Sequence, residues 1–159
     1  MTNGMKSLAP LPLRLILGFG FAYHGYPKLF TGQGHDTFVG MLQNIGVPAA
    51  GLMSWAVGIL EFFGGLALIA GAFVGIISVL GILNMLVAMF TVHLPNGFNF
   101  MNMTGMTDSG PTFGMPGYEV NLLYIAGFAA LALLGAGRFS VDEARAGSAG
   151  GGRNAGQEV

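Results

Sequence analysis

Polar positions are sparse along this chain, and the apolar ones between them come in long runs. Four runs stand out, at about residues 8–30, 49–70, 74–94 and 118–136. Each is close to the ~20 residues that carry a helix across a ~30 Å hydrocarbon core. Each is apolar around most of its circumference, and one chain of 159 residues is too short to bury four such helices within itself. The pattern predicts an all-α, polytopic membrane protein: residues 1–142 form a four-transmembrane-helix bundle. Only "GAFVG" separates the second run from the third, a tight turn in which Gly71 and Gly75 supply the flexible positions. The longer connections, 31–48 and 95–117, read as loops. Residues 143–159, "EARAGSAGGGRNAGQEV", are rich in Gly, Ala and polar side chains and read as a disordered cytoplasmic tail.

Charge sets the orientation. Lys6, Arg14, Arg138, Arg145 and Arg153 fall at one end of the bundle and Lys28 at the other, so five of six cations share a side. That asymmetry places both termini in the cytoplasm and both long connections outside. A cleaved leader over residues 1–30 is the competing reading. It is the weaker one, because the run ends in "YHGYPKLF" with no small-residue cleavage site.

Composition narrows the function classes. The chain is 53% hydrophobic and 8% charged, with a net charge of −1, which excludes a basic nucleic-acid-binding footprint. No cysteine is present, so disulfides, thiolate metal sites and thiol nucleophiles are excluded. No Gly-rich phosphate loop, GxSxG, HExxH or CxxC occurs.

The few polar residues inside the runs carry what chemistry there is, because a charge in the bilayer needs a partner or a purpose. Glu61 lies mid-run, too deep to reach water. Ser54, Gly58, Glu61, Gly65 and Leu68 share its helix face, and Arg14, Gly18, Phe21, Gly25 and Lys28 form a stripe on the first run. Small residues on both faces invite close approach. Arg14 is the expected partner of Glu61, across a depth gap of roughly 8 Å, with Asn84 completing a buried polar network. Lys28 is either an anchor that snorkels to the interface or part of an outer cluster with His24, His93 and Glu119. His93 is nine residues from Asn84 and faces the opposite way on a regular helix, so its membership requires the third helix to unwind before Pro95. No metal-binding spacing is present, and no metal is expected. The loop "PNGFNFMNMTGMTDSGPTFGMPG" holds four methionines and three phenylalanines. Thioethers suit Cu(I), but folding over the bundle mouth is the better reading.

The segments "RLILGFGFAYHGYPKLF", "GILEFFGGLALIAG", "NMLVAMFTVHLPNGF" and "GYEVNLLYIAGFAALALLGAGRFSVD" together resemble the DoxX family of small membrane proteins. Arg14, Gly25, Lys28, Glu61, Gly64, Asn84, His93, Glu119, Gly137, Arg138, Ser140 and Asp142 match its pattern one by one. The resemblance implies a multi-pass four-helix protein of the bacterial inner (plasma) membrane, associated with quinol oxidases, thiosulfate:quinone chemistry or oxidative-stress complexes. A non-catalytic subunit or scaffold of a quinone-linked redox assembly is the leading expectation. Quinone is then its candidate ligand, held at a mouth formed by His24, Lys28, His93 and Glu119, and a membrane or peripheral redox protein is its partner. The alternatives are a quinone-linked oxidoreductase in its own right, a small-molecule or lipid transporter assembled as a homo-oligomer, or a mouth that docks a partner and holds no ligand.

Overall fold

A computed structural model describes residues 8–151. The chain runs α1 (Pro10–Phe30), α2 (Gly32–Asn44), α3 (Ala50–Ala70) and α4 (Val74–Ala88). A π-helical turn (Met89–His93) and a 3₁₀ turn (Leu94–Asn96) extend α4; then come β1 (Met103–Thr107), β2 (Gly110–Phe113), α5 (Glu119–Leu134) and α6 (Val141–Gly151). The four apolar runs are thus helices α1, α3, α4 and α5. Among the described residues two helices are long and apolar enough to cross a membrane, Ala50–Ala70 and Val74–Asn96; α5 is a shorter apolar helix. Outward faces stay apolar all round, with Ile16, Phe19, Ile59, Phe63, Ile76, Leu83, Leu123 and Leu133 exposed. In water that surface would cost far more than a protein's stability allows; in lipid it costs nothing.

Helix α1 packs most closely on α3, α4 on α5, and α1–α5 and α3–α4 contacts complete the circuit. The α1–α3 seam is tight because glycines line it. A Cβ on Gly18 would stand 2.6 Å from the Gly65 carbonyl, and one on Gly25 2.9 Å from Glu61 Cβ. The small-residue stripes therefore let the two backbones touch. Between the helices Leu17, Phe21, Leu68, Val74, Ile77, Phe128 and Leu131 form the core.

Four expectations need correction. The 31–48 connection is mostly helical: Thr31 ends α1 and caps α2, its hydroxyl accepting from Gly34 N–H at 3.1 Å. The 95–117 connection carries an antiparallel β-hairpin, so the chain is not purely α. In the α3–α4 turn Gly71 takes a left-handed conformation (φ +73°), but its companion is Phe73 (φ +53°); Gly75 lies inside α4. Residues 143–151 continue as helix α6 rather than disordered tail; the rest of that tail, like Lys6 and Arg153, lies outside the described residues.

Candidate functional site

Two buried polar centres lie at opposite ends of α1. At its N-terminal end Arg14 is 1% exposed and donates to five backbone carbonyls. Nε reaches Leu68 at 3.2 Å; Nη1 reaches Ala136 at 2.6 Å and Arg138 at 3.4 Å; Nη2 reaches Ile69 at 3.3 Å and Phe139 at 2.9 Å. Leu68 and Ile69 belong to the last turn of α3, where the helix dipole favours a cation; the Leu68 carbonyl also accepts from Gly71 N–H at 3.0 Å. Gly71 beside them leaves room, since a Cβ there would sit 2.8 Å from the guanidinium carbon. Asp142 closes the same end from the other side. Its two oxygens accept from Phe73 N–H at 2.9 Å and Val74 N–H at 3.0 Å, capping α4. Ser140 donates to the Gly137 carbonyl at 2.6 Å and accepts from Glu143 N–H. This end is a backbone clamp.

The expected Arg14–Glu61 pair is not formed. Glu61 pairs with Lys28 and accepts from Asn84 Nδ2 at 3.1 Å. Register explains the change. Gly25 lies against Glu61, and Arg14, eleven residues earlier, is roughly 16 Å along the axis. Lys28 is one turn away. Its ammonium also sits 4.6 Å from the Phe38 ring centroid on α2, a favourable cation–π placement.

The Lys28–Glu61–Asn84 centre opens on a cavity of about 350 Å³, within the range of small-molecule sites. Its walls are mainly apolar, with Phe21, Val57, Met85, Ala88 and Val92 from the helices and Phe100, Met115 and Pro116 from the connection that crosses its mouth. The 95–117 segment therefore covers the site in part, while Met101, Met103 and Met106 remain exposed.

His24 and His93 both line this cavity. For His93 the π-turn is decisive. The Leu94 N–H bonds to the Met89 carbonyl five residues back, where the Pro95 ring crowds the preceding turn. One extra residue in a turn rotates the positions beyond it by about 100°, bringing His93 within roughly 80° of Asn84 instead of 180°. Its Nδ1 lies 2.9 Å from the Pro116 carbonyl; a carbonyl only accepts, so Nδ1 carries a proton, and Nε2 is the ring nitrogen left to face the cavity's contents. Glu119 is elsewhere. It accepts from Phe100 N–H at 3.0 Å and holds the covering segment instead of lining the cavity.

Three cavity or supporting residues are not singled out by the sequence pattern. Asn121, 5% exposed, lines the wall with its Nδ2 at 3.4 Å from the Met85 carbonyl. Tyr124 stacks on Phe21 and also lines the cavity. His35 on α2 packs on Trp55 and has Nδ1 3.0 Å from the Lys28 carbonyl and 3.2 Å from Ser54 Oγ. Asn121 is a polar residue inside an apolar run, the same signal that marks Asn84. Among the described residues no group of three metal-ligating side chains occurs.

The family follows from the sequence that builds this arrangement. Residues 9–94 match the family model described as DoxX, more than half of the chain. The chain belongs to the DoxX family. No curated protein and no solved structure matches it. The DoxX match contains Arg14, His24, Lys28, Glu61, Asn84 and His93, so both polar centres draw their helical members from it. It ends before the hairpin, Glu119, Asn121, Tyr124 and the 136–142 half of the clamp.

Proposed function

We propose that this DoxX protein is a four-span subunit of a quinone-linked membrane redox assembly, and that its cavity takes the head group of an isoprenoid quinone without catalysing the reaction. On this reading both chain ends are cytoplasmic, the cavity lies at the outer end of an inner-membrane bundle, and a redox protein is the partner. Support for the topology comes from the cations: Arg14, Arg138 and Arg145 gather at the clamp end and Lys28 lies at the other.

The observation that carries the ligand reading is the cavity itself, an apolar-walled space with a few converging polar groups on one side. Lys28, with donor capacity beyond its bond to Glu61, and His24 suit the carbonyls of a quinone head. Glu61 and His93 Nε2 are acceptors suited to the hydroxyls of its reduced form. The apolar walls accept the ring. Glu119 serves by holding the cover.

Lipid extraction of protein purified in mild detergent tests this. Native quinone should accompany the wild type and be lost from His24→Ala and Lys28→Ala. The exposed Phe98, Phe113 and methionines of the hairpin favour a second reading, a docking surface. That reading prevails if no quinone co-purifies and the same substitutions release a bound protein. Bright signal from a reporter that works only outside the cytoplasm, fused after Val159, would sink the topology.

A further inference from the structure

The cavity is not the only space that reaches the Lys28–Glu61 pair. A wider groove of about 580 Å³ lies between the C-terminal end of α1 and α2. Thr31, Gln33 and Thr37 line it, all exposed. The two spaces share His24, Lys28, Phe38 and Met41, so one layer of side chains divides them. Lys28 belongs to that layer, with its ammonium between the Phe38 ring and Glu61.

The opposite direction is closed. Between the cavity and the clamp stand Leu17, Leu68, Phe128 and Leu131, none more than 7% exposed. Behind them the Arg14 guanidinium is held on five carbonyls. Close-packed apolar side chains stay dry, and a dry layer offers a proton no carrier.

We propose that the α1–α2 groove is the aqueous access route of the Lys28–Glu61 pair, so that the pair exchanges protons with the hairpin side of the membrane alone. This rests on the membrane-spanning reading above but needs no particular ligand. The proton step balances. Lys28 releases a proton to groove water, with exposed His24 beside it as acceptor. Glu61 takes a proton from a donor in the cavity and passes it to the Lys28 amine across their hydrogen bond. Both side chains regain their charges, and one proton has moved from cavity to groove. The other titratable groups around the pair are His35 on α2, His93 at the end of α4 and Tyr124 on α5.

The absence of native cysteine makes the test clean. Only a thiolate attacks a membrane-impermeant thiosulfonate, forming a mixed disulfide and expelling sulfinate, so the labelling rate reports water and proton exchange at the thiol. Full-length protein in sealed liposomes would carry Ala88→Cys on the cavity wall, Leu17→Cys in the dry layer, Asp108→Cys on the hairpin or Gly147→Cys on α6. Ala88→Cys should label only from the side that labels Asp108→Cys, and Leu17→Cys from neither. Adding Thr37→Trp, which fills the groove from an exposed position, should slow Ala88→Cys labelling by roughly tenfold, about 1.4 kcal/mol on the barrier. Gln33→Trp serves the same purpose should the first change disturb folding. Labelling of Ala88→Cys from the opposite side overturns the proposal. So does an unchanged rate in both tryptophan variants, which would mean that water arrives beneath residues 115–117. Gly147→Cys labelling from the same side as Asp108→Cys would instead overturn the membrane topology, and with it the one-sidedness.

Discussion

Arg14 and Lys28 lie on one helix, fourteen residues apart, and both are cations inside an apolar bundle. Among the described residues Arg14 is in no direct ion pair; it is held by the partial charges of five carbonyls, with the Asp142 carboxylate acting on it from farther off. Lys28 has a carboxylate partner and an aromatic one, and its site opens on a cavity. The difference separates two uses of a buried charge. A guanidinium with a rigid fork of donors can tie several backbone segments together at once, whereas an ammonium on a flexible stem can hold or pass a single proton. A full complement of backbone partners marks the structural site, and adjoining space marks the candidate functional one.

The comparison predicts unequal costs. Arg14→Leu should be the most damaging change, because hydrogen bonds to charged groups are worth ~1.5–3 kcal/mol each and the carbonyls stay buried. A loss of about 4 kcal/mol or more, seen as failure to accumulate folded protein, is expected; a melting temperature in detergent close to wild type would break the clamp interpretation. Next comes Lys28→Met, which strands Glu61 at a cost of ~3–5 kcal/mol. Adding Glu61→Leu should restore most of that loss but not ligand retention, so the coupling in the double-mutant cycle should be about 3 kcal/mol or more. The cycle between Arg14 and Glu61 should be additive within ~0.5 kcal/mol, and a larger coupling would revive the pairing that the register excludes. Asp142→Asn should cost about 1 kcal/mol through the weakened α4 cap. The smallest effect on stability belongs to His93→Phe, ~0.5–1 kcal/mol for the lost bond to the Pro116 carbonyl, although the same change should lower retention of the quinone proposed for the cavity.

How much of the molecule is legible in its sequence depends on how local each signal is. Apolar runs report helices directly, and the four long ones lie close to the expected bounds. Glycine stripes at 18 and 25, and at 58 and 65, report a close seam, and α1 and α3 meet there. Neither signal carries axial register. The sequence pattern therefore points Glu61 to Arg14, whereas the shift that gives it to Lys28 is set by how two seams interlock. Helix α2 is hidden because Gly32, Gly34 and Gly40 dilute a short Phe38–Met41–Leu42 stripe, and its Thr31 cap doubles as the end of α1. The hairpin is hidden by a run of glycine, threonine and methionine without alternation. The place of His93 depends on a helix irregularity whose effect Pro95 alone does not specify. The clamp residues Gly137, Arg138, Ser140 and Asp142 stand out as a pattern, but their role is to supply carbonyls and a cap across more than 60 positions of sequence.

The arginine clamp also dictates an order of events in time. Two of its five acceptors, Leu68 and Ile69, exist once α3 has been made; the other three are Ala136, Arg138 and Phe139, 122 to 125 positions beyond Arg14. A growing chain must therefore hold its first helix with a half-neutralised cation while α4, the hairpin and α5 are synthesised. Until then the clamp end of that helix is held by α3 alone. Only when residues 136–139 emerge does the guanidinium gain its remaining partners, and the earliest segment is fixed by the latest.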